Sequence, residues 1–255
     1  NRADSYNRGQ ISIPFELIEF IDNLLETTAE DKIIIPYSNM TILTHFLAKK
    51  YSNRSKNNSK NLDITLIDRY THDKVFLNII SLLELPKISF VDQDPIITTV
   101  FSEIKNKKII ISIPPFQKKI IEKNEISKDY GSDEVNYFIK KLIDSSDEGT
   151  KMAIVVPQGF LFNQSNNKIR NYILRNSILK GIIQLPGNIM RPYTGIQTSL
   201  IILEISSSKK NNITFMSIMP SNGSINSKIN EEVSNNICKK FQIFTKKSIL
   251  KNQTQ

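Results

Sequence analysis

Short apolar runs of strand length recur along this chain, and segments with helical periodicity separate them. The first run is Ile33-Ile34-Ile35, and the second, residues 62–67, closes on Asp68. Continuous apolar runs that alternate with helices predict an α/β fold, a mostly parallel sheet with helices on both faces. The other predicted strands are residues 87–91, 108–113, 152–156, 181–185 and 198–203, and the predicted helices are residues 15–25, 42–47, 75–83, 135–142 and 169–174.

Helix signals and a change in composition mark the later part of the chain. Ser132 is predicted to cap the helix of residues 135–142, with Asp133 and Glu134 in its first turn, where acids suit the helix dipole. Residues 206–210 are linker-like, residues 213–218 are predicted to form one more strand and residues 231–241 a helix. We therefore expect a first domain of residues 1–205 and a C-terminal extension of residues 206–255 that packs on it.

Composition excludes several classes of protein. The 255 residues are 39% hydrophobic, yet no apolar run approaches the roughly 18–20 residues of a membrane span. Cys238 is the single cysteine, which excludes a disulfide framework and a Cys-rich zinc site. The two histidines, His45 and His72, argue against a multi-histidine metal centre, and we interpret both as core or surface residues. No secretory leader opens the sequence, so we expect a cytoplasmic protein. The cysteine and histidine counts lead us to expect no metal.

The charge balance points to polyanions. Lys and Arg number 34 and Asp and Glu 25, which gives a net charge of +9 and a pI near 9.4. Such a balance favours a polyanionic partner, most commonly nucleic acid. The alternative is a general solubility charge in a chain rich in Lys and Asn.

Strand ends are where a site is expected, because ligands of parallel α/β sheets bind at the carboxyl ends of the strands. The residues that follow those ends are 36–41, Asp68, Asp92 and 113–116.

A series of short motifs over residues 8–205 resembles a known family in order and spacing. The motifs are Gly9-Gln10 with Ile13-Pro14, Leu66-Ile67-Asp68, Leu77-Asn78-Ile79, Val91-Asp92, Ile113-Pro114-Pro115-Phe116, residues 153–157, Gly159, Leu161-Phe162, Ile169-Arg170, Leu185-Pro186-Gly187, residues 193–196 and Thr198-Ser199. The series resembles the adenine-N6 DNA methyltransferases, in particular the modification subunits of type I restriction systems. The resemblance implies a Rossmann-like class I fold dependent on S-adenosylmethionine, with residues 1–205 as the methyltransferase-like domain. It also implies double-stranded DNA and the specificity or other subunits of a modification complex as partners.

The resemblance places residues 113–116 where the family carries Asn-Pro-Pro-Phe or Asn-Pro-Pro-Tyr. In the family, the first side chain and a backbone carbonyl accept hydrogen bonds from the adenine amine, and the aromatic ring stacks on the flipped-out base. Ile113 cannot accept a hydrogen bond, whereas Pro114, Pro115 and Phe116 are retained. Taken alone, Pro-Pro-Phe is more typical of a strand terminator followed by a core aromatic.

The methyl-donor turn implied by the resemblance departs from the family as well. The family has Asp-Pro-x-Cys-Gly-x-Gly after the first strand. Aligned on Pro36, this chain has Ile35 in place of the acid, and Asn39 and Thr41 in place of the two glycines. Glycine is the residue that allows backbone to approach a ligand closely, so we expect weak donor binding or none.

Three further residues are assigned to the donor by resemblance. Pro14 would lie beside it, Asp68 would bind its ribose and Asp92 would face its adenine amine. The alternative for Asp68 and Asp92 is a solvated acid at a strand end. The fold also predicts that Ile13-Pro14 lies near the turn at Pro36.

Three functions remain open on the sequence. The first is a catalytically degenerate relative that binds DNA or acts as a scaffold in a modification, restriction or defence assembly. The second is an active adenine-N6 DNA methyltransferase with divergent motifs. The third is a protein-interaction module on a methyltransferase fold.

Overall fold

One sheet runs through the part of the chain that the structure, a computed structural model, describes. That part comprises residues 13–28, 31–37, 40–52, 63–68, 88–104, 108–116, 118–120, 129–131, 133–187, 189–191, 194–206, 213–220 and 229–253. The strands are β1 (Lys32–Pro36), β2 (Asp63–Asp68), β3 (Ile88–Asp92), β4 (Lys108–Ser112), β5 (Lys151–Pro157), β6 (Ile178–Gln184), β7 (Thr198–Glu204) and β8 (Phe215–Ile218). The described α-helices are α1 (Phe15–Leu25), α2 (Met40–Ser52), α3 (Val100–Glu103), α4 (Glu134–Ser145), α5 (Gly159–Phe162), α6 (Asn167–Asn176) and α7 (Glu231–Gln253), and a 3-10 turn covers Gln164–Asn166.

The strand order is β3-β2-β1-β4-β5-β7-β6-β8. Neighbours from β3 to β5 pair in parallel, and so do β6 and β8. Strand β7 is antiparallel to both β5 and β6, so it alone runs against the other described strands. The predicted α/β class with a mostly parallel sheet is therefore confirmed.

Differences from the predicted elements are local. Helix α4 begins at Glu134 with Asp133 as its N-cap residue, so Asp133 lies outside the first turn in which it was expected. Strand β4 ends at Ser112, one residue before the predicted end, because the proline pair follows Ile113. Helix α7 continues to Gln253 instead of ending at residue 241. Ser132 and the predicted helix of residues 75–83 lie outside the described residues.

Two hydrophobic clusters lie on the two faces of the sheet. Alternate residues of β1 divide between them: Ile33 and Ile35 belong to the first cluster and Ile34 to the second. The first cluster takes in α1, α2 and α7, and the second takes in α3, α4 and α6. The central strands are therefore covered on both faces, as their continuous apolar runs require.

The C-terminal elements contact the rest of the molecule. Strand β8 pairs with β6, and α7 lies along α1, where Cys238 is 4.0 Å from the carbonyl oxygen of Phe20. The Phe215 ring of β8 meets the ring of Phe241 at 5.4 Å between centroids. The division of the chain at residue 205 stays a prediction. No described helix combines the length and apolar character needed to cross a membrane.

Candidate functional site

The carboxyl ends of β1, β2, β3 and β4 meet at one edge of the sheet. The parallel register pairs Pro36 with Ile67 and Asp68 with Asp92. The Ser112 hydroxyl donates a hydrogen bond to the Pro36 carbonyl oxygen at 3.3 Å, which ties β4 to β1 at this edge. The sequence-predicted residues at these strand ends are therefore neighbours.

The tetrapeptide after β4 is buried. Ile113 is 2% and Phe116 is 6% exposed, and Pro114 and Pro115 are buried between them. Ile113 and Phe116 belong to the first hydrophobic cluster, which also contains Ile13. The side chain at the head of the turn therefore lies in apolar surroundings that match its own chemistry.

Tyr37 follows β1 directly and has an unusual backbone. Its φ of 58° lies in the left-handed region, which non-glycine residues seldom adopt. Its ring is buried and meets the Phe138 ring edge-on at 4.9 Å, and its hydroxyl donates to Glu134 Oε1 at 3.0 Å. Burial raises the pKa of Tyr37 well above its ordinary value, and the adjacent Glu134 carboxylate raises it further. The phenol is therefore neutral at physiological pH.

Glu134 and Lys118 complete this network. Lys118 Nζ lies 2.9 Å from Glu134 Oε2 and 3.2 Å from Oε1, and the Glu134 amide donates to the Lys118 carbonyl at 3.0 Å. Burial raises the pKa of Glu134, although the hydrogen bond and the charge of Lys118 oppose that effect. Both carboxylate oxygens are thus engaged. We call Tyr37, Glu134 and Lys118 the Tyr37 network; it joins the end of β1 to the head of α4 and to the segment after the tetrapeptide.

Two more carboxylates face this network. The negative charges of Asp68 and Asp94 raise the pKa of Tyr37, and that of Asp94 also raises the pKa of Glu134. Asp68 is only 4% exposed, so a solvated strand-end acid is the wrong interpretation for it. Asp92 is exposed, in keeping with that interpretation.

Sequence reasoning missed Asp94 and Lys118 as residues of this edge, and it included Tyr37 only within residues 36–41, without a role of its own. Asp94 lies in a turn that starts just after β3, where its side chain accepts a hydrogen bond from the Ile96 amide at 3.0 Å. The Asp94-Pro95 pair is a turn signal that could have placed it there. Glu134 was assigned only a helix-dipole role, because burial of an acid in the first turn has no signature in the sequence.

The donor-turn residues are only partly described. Pro36 is buried at the end of β1 and Thr41 lies in the first turn of α2, whereas Asn39 lies outside the described residues. Pro14 is the half-buried N-cap residue of α1. Gly9-Gln10 and Leu77-Asn78-Ile79 also lie outside the described residues. Among the residues that are described, no group of three or more His, Cys, Asp or Glu side chains is arranged to hold a metal ion.

A second buried polar cluster joins α1 to α2. Asp22 accepts hydrogen bonds from His45 Nε2 at 2.9 Å, from Lys49 Nζ at 2.7 Å and from the Thr27 hydroxyl. Burial raises the pKa of Asp22, but these hydrogen bonds and the charge of Lys49 outweigh it and leave the pKa lowered. His45 is a buried residue of the helix layer, as its position on an apolar face predicts.

The sequence is similar to proteins of a known family. The model of the family described as N-6 DNA methylase matches residues 2–255. The methylase subunit of the type I restriction enzyme EcoEI from Escherichia coli is 29% identical over 97 residues, which cover 36% of this chain and 20% of that protein.

Solved structures share the fold. The methyltransferase subunit of a type I restriction-modification system from Streptococcus thermophilus superposes with a TM-score of 0.71 at 15% identity, covering 92% of this chain and 54% of that one. A Listeria monocytogenes protein assigned as a class I S-adenosylmethionine-dependent methyltransferase gives a TM-score of 0.69 at 14% identity, covering 91% and 71%.

The chain thus spans about half of the Streptococcus thermophilus subunit, and its match covers a fifth of the Escherichia coli relative. Its fold is that of the class I S-adenosylmethionine-dependent methyltransferases. Because the family model covers nearly the whole sequence, the chain belongs to the N-6 DNA methylase family and is similar to the modification subunits of type I restriction systems.

Proposed function

We propose that this chain is a catalytically degenerate member of its family, a pseudoenzyme that keeps the methyltransferase fold. Its role is to bind double-stranded DNA, or to act as a scaffold for the specificity or other subunits, within a modification, restriction or defence assembly. The observation that carries this proposal is the apolar packing of Ile113 at the head of the Pro114-Pro115-Phe116 turn.

A missing acceptor at this position has a large effect on the reaction. Removing one preorganised polar group from an oxyanion hole, the nearest analogue, costs about 2.7–4 kcal/mol of transition-state stabilisation. That corresponds to roughly a hundredfold to thousandfold in rate. Because Ile113 is only 2% exposed, we expect no water molecule beside its side chain to act as the acceptor instead.

The residues at the end of β1 do not fit S-adenosylmethionine. Ile35, which stands in place of the family's acid, is fully buried in the first cluster. Tyr37, the residue after β1, is buried, with its ring against Phe138 and its hydroxyl bonded to Glu134. The two glycines that would let backbone approach a ligand are Asn39 and Thr41 in this sequence. These features support weak donor binding or none.

The proposed binding of DNA or of other subunits rests on the net charge and on the similarity to a restriction-enzyme subunit. The net charge of +9 suits a polyanion, and the Escherichia coli relative is a subunit of a restriction enzyme. A protein-interaction module that does not bind DNA stays the alternative if the charge serves solubility only.

One observation favours an active enzyme. Asp68 is a buried acid at the end of β2, and Asp92 faces it across the parallel ladder. In an active enzyme, Asp68 and Asp92 would hold the methyl donor, Pro14 would lie beside it, and Pro114, Pro115 and Phe116 would hold the base.

Titration calorimetry with S-adenosylmethionine tests the proposal. We expect no heat of binding with the donor at up to about 1 mM, equivalent to less than roughly 4 kcal/mol of binding free energy. A micromolar dissociation constant that is lost in Asp68→Asn would contradict degeneracy and favour the active enzyme. A parallel titration with duplex DNA separates the DNA-binding role from the protein-interaction module.

A further inference from the structure

Helix α7 has one buried face and one basic face. Ile237, Cys238 and Phe241 are buried against the first cluster, and Gln242 Nε2 lies 3.5 Å from the Asn23 carbonyl oxygen of α1. The basic face consists of Lys239, Lys240, Lys246 and Lys247, all exposed; we call these four residues the lysine face.

The charge of α7 becomes positive after its first turn. The helix begins with Glu231 and Glu232, whereas residues 233–255 contain five lysines and no Asp or Glu. Several other described lysines form ion pairs, such as Lys118 with Glu134 and Lys140 with Asp144, but no lysine of the lysine face forms an ion pair with another described residue. Between the lysine pairs, Ile243 is 54% exposed. A predominantly positive surface of this kind concentrates polyanions.

The lysine spacing suits a duplex. Lys239-Lys240 and Lys246-Lys247 are seven residues apart, which is about 10.5 Å along an α-helix. The DNA major groove is about 12 Å wide, and the duplex presents about one negative charge per 1.7 Å of its axis. Flexible lysines contact phosphates as point charges and carry little sequence information. The geometry therefore fits contact with the phosphate backbone.

The lysine face lies away from the candidate site. A cavity of about 140 Å³ beside α7 is lined by Phe241, Gln242 and Thr245 together with Lys151 at the start of β5 and Glu204 at the end of β7. These strand residues mark the edge opposite Asp68 and Ile113, because β5 starts there and the antiparallel β7 ends there. The part of α7 that carries Lys246 and Lys247 is thus close to the opposite edge.

We propose that the lysine face of α7 binds the phosphate backbone of duplex DNA without regard to sequence, at a surface separate from the methyl-transfer edge. The inference rests on the DNA-binding role proposed above and assigns it a surface.

The test compares two double variants that remove the same charge. Lys246→Gln/Lys247→Gln alters the lysine face, and Lys168→Gln/Arg175→Gln alters exposed residues of α6 on the other face of the sheet; each lowers the net charge from +9 to +7. Affinity for a duplex of arbitrary sequence is measured by fluorescence anisotropy over a range of salt concentrations, and circular dichroism checks folding.

We expect the α7 variant to reduce the slope of log affinity against log salt by about 1.8, since each phosphate contact contributes about 0.9. The α6 variant should leave the slope unchanged. Equal loss in both variants, or no loss in either, would overturn the lysine face while the DNA-binding role stands. A wild-type protein that does not bind duplex DNA would overturn both proposals. Displacement of the duplex by polyglutamate at the same charge concentration would assign the surface to an acidic protein instead and also overturn the inference.

Discussion

Ile113 offers only methyl and methylene groups where the family's chemistry needs an oxygen acceptor, and its neighbours are equally apolar. The side chain and its surroundings are therefore alike in polarity. Replacing Ile113 alone with a polar residue would therefore place a polar side chain among apolar groups that cannot form a hydrogen bond with it. A buried amide without a hydrogen-bond partner costs about 1–3 kcal/mol.

We expect Ile113→Asn to transfer no detectable methyl label to adenine-containing duplex DNA, and to lower the free energy of unfolding by about 1–3 kcal/mol. Catalysis needs methyl donor and base together, and residues that act as a unit contribute far from additively. A variant that also carries Ile35→Asp, Asn39→Gly and Thr41→Gly has the better prospect. The measurement is incorporation of tritiated methyl groups, with urea unfolding in parallel. Clear labelling by the single variant would mean that the donor site is already competent.

For single residues, the sequence predicted the position at a strand end better than the burial of the side chain. It identified Ile113, Asp68 and Asp92 as strand-end residues, because apolar runs and their terminators are local features. It did not predict that Asp68 is buried and Asp92 exposed, since that difference depends on what covers each strand end. The Tyr37 network was invisible for the same reason: its members are 97 and 16 residues apart.

Between elements, the Asp22 cluster is the clearest polar connection, because it links α1 to His45 and Lys49 of α2. The lowered pKa of Asp22 means that the folded protein binds its proton less tightly than the unfolded chain does. The stabilisation is therefore complete above the ordinary value of 3.8 and is lost as the pH falls through the lower, folded-state pKa.

We expect Asp22→Asn to lower the free energy of unfolding at neutral pH by about 1–3 kcal/mol, because Lys49 and His45 lose a charged partner. The difference between wild type and variant should shrink as the pH falls below 3.8. Urea unfolding at a series of pH values measures it, with Asp63→Asn at the half-buried start of β2 as the control. A difference that is constant down to the lowest pH would show that the ionised form of Asp22 contributes nothing.

Element order was accessible to sequence reasoning, but element direction was not. All strands that the structure describes were predicted as strands, because runs of strand length are visible in the sequence both for a buried strand such as β1 and for the partly exposed β8. The reversal of β7 has no signature in its own residues. It follows from the connection between β6 and β7, which contains no described helix of the kind that a parallel crossover uses.

At the scale of the whole molecule, strand β8 presents an exposed apolar face. Among the described strands it has a neighbour on one side only. Met216 is 71% and Ile218 is 67% exposed, on the same face of the strand. An exposed apolar edge strand is a template for pairing with another chain, and charged residues, lysine above all, suppress such pairing.

We expect Met216→Lys/Ile218→Lys to reduce light scattering when the protein is refolded at high concentration, with the free energy of unfolding changed by no more than about 0.5 kcal/mol. Phe162→Lys/Leu174→Lys serves as the control, because it adds the same charge at exposed helix positions away from the edge. If both variants reduced scattering equally, net charge and not the edge would be the cause.

The left-handed backbone of Tyr37 also bears on how this lineage can change over time. A non-glycine residue in that conformation costs about 1–3 kcal/mol, which the Tyr37 network and its packing offset. A substitution that introduced the family's turn here would first have to break the network, and so would lower the stability of the protein. Selection for stability therefore opposes change at the end of β1 more strongly than change on the exposed surface.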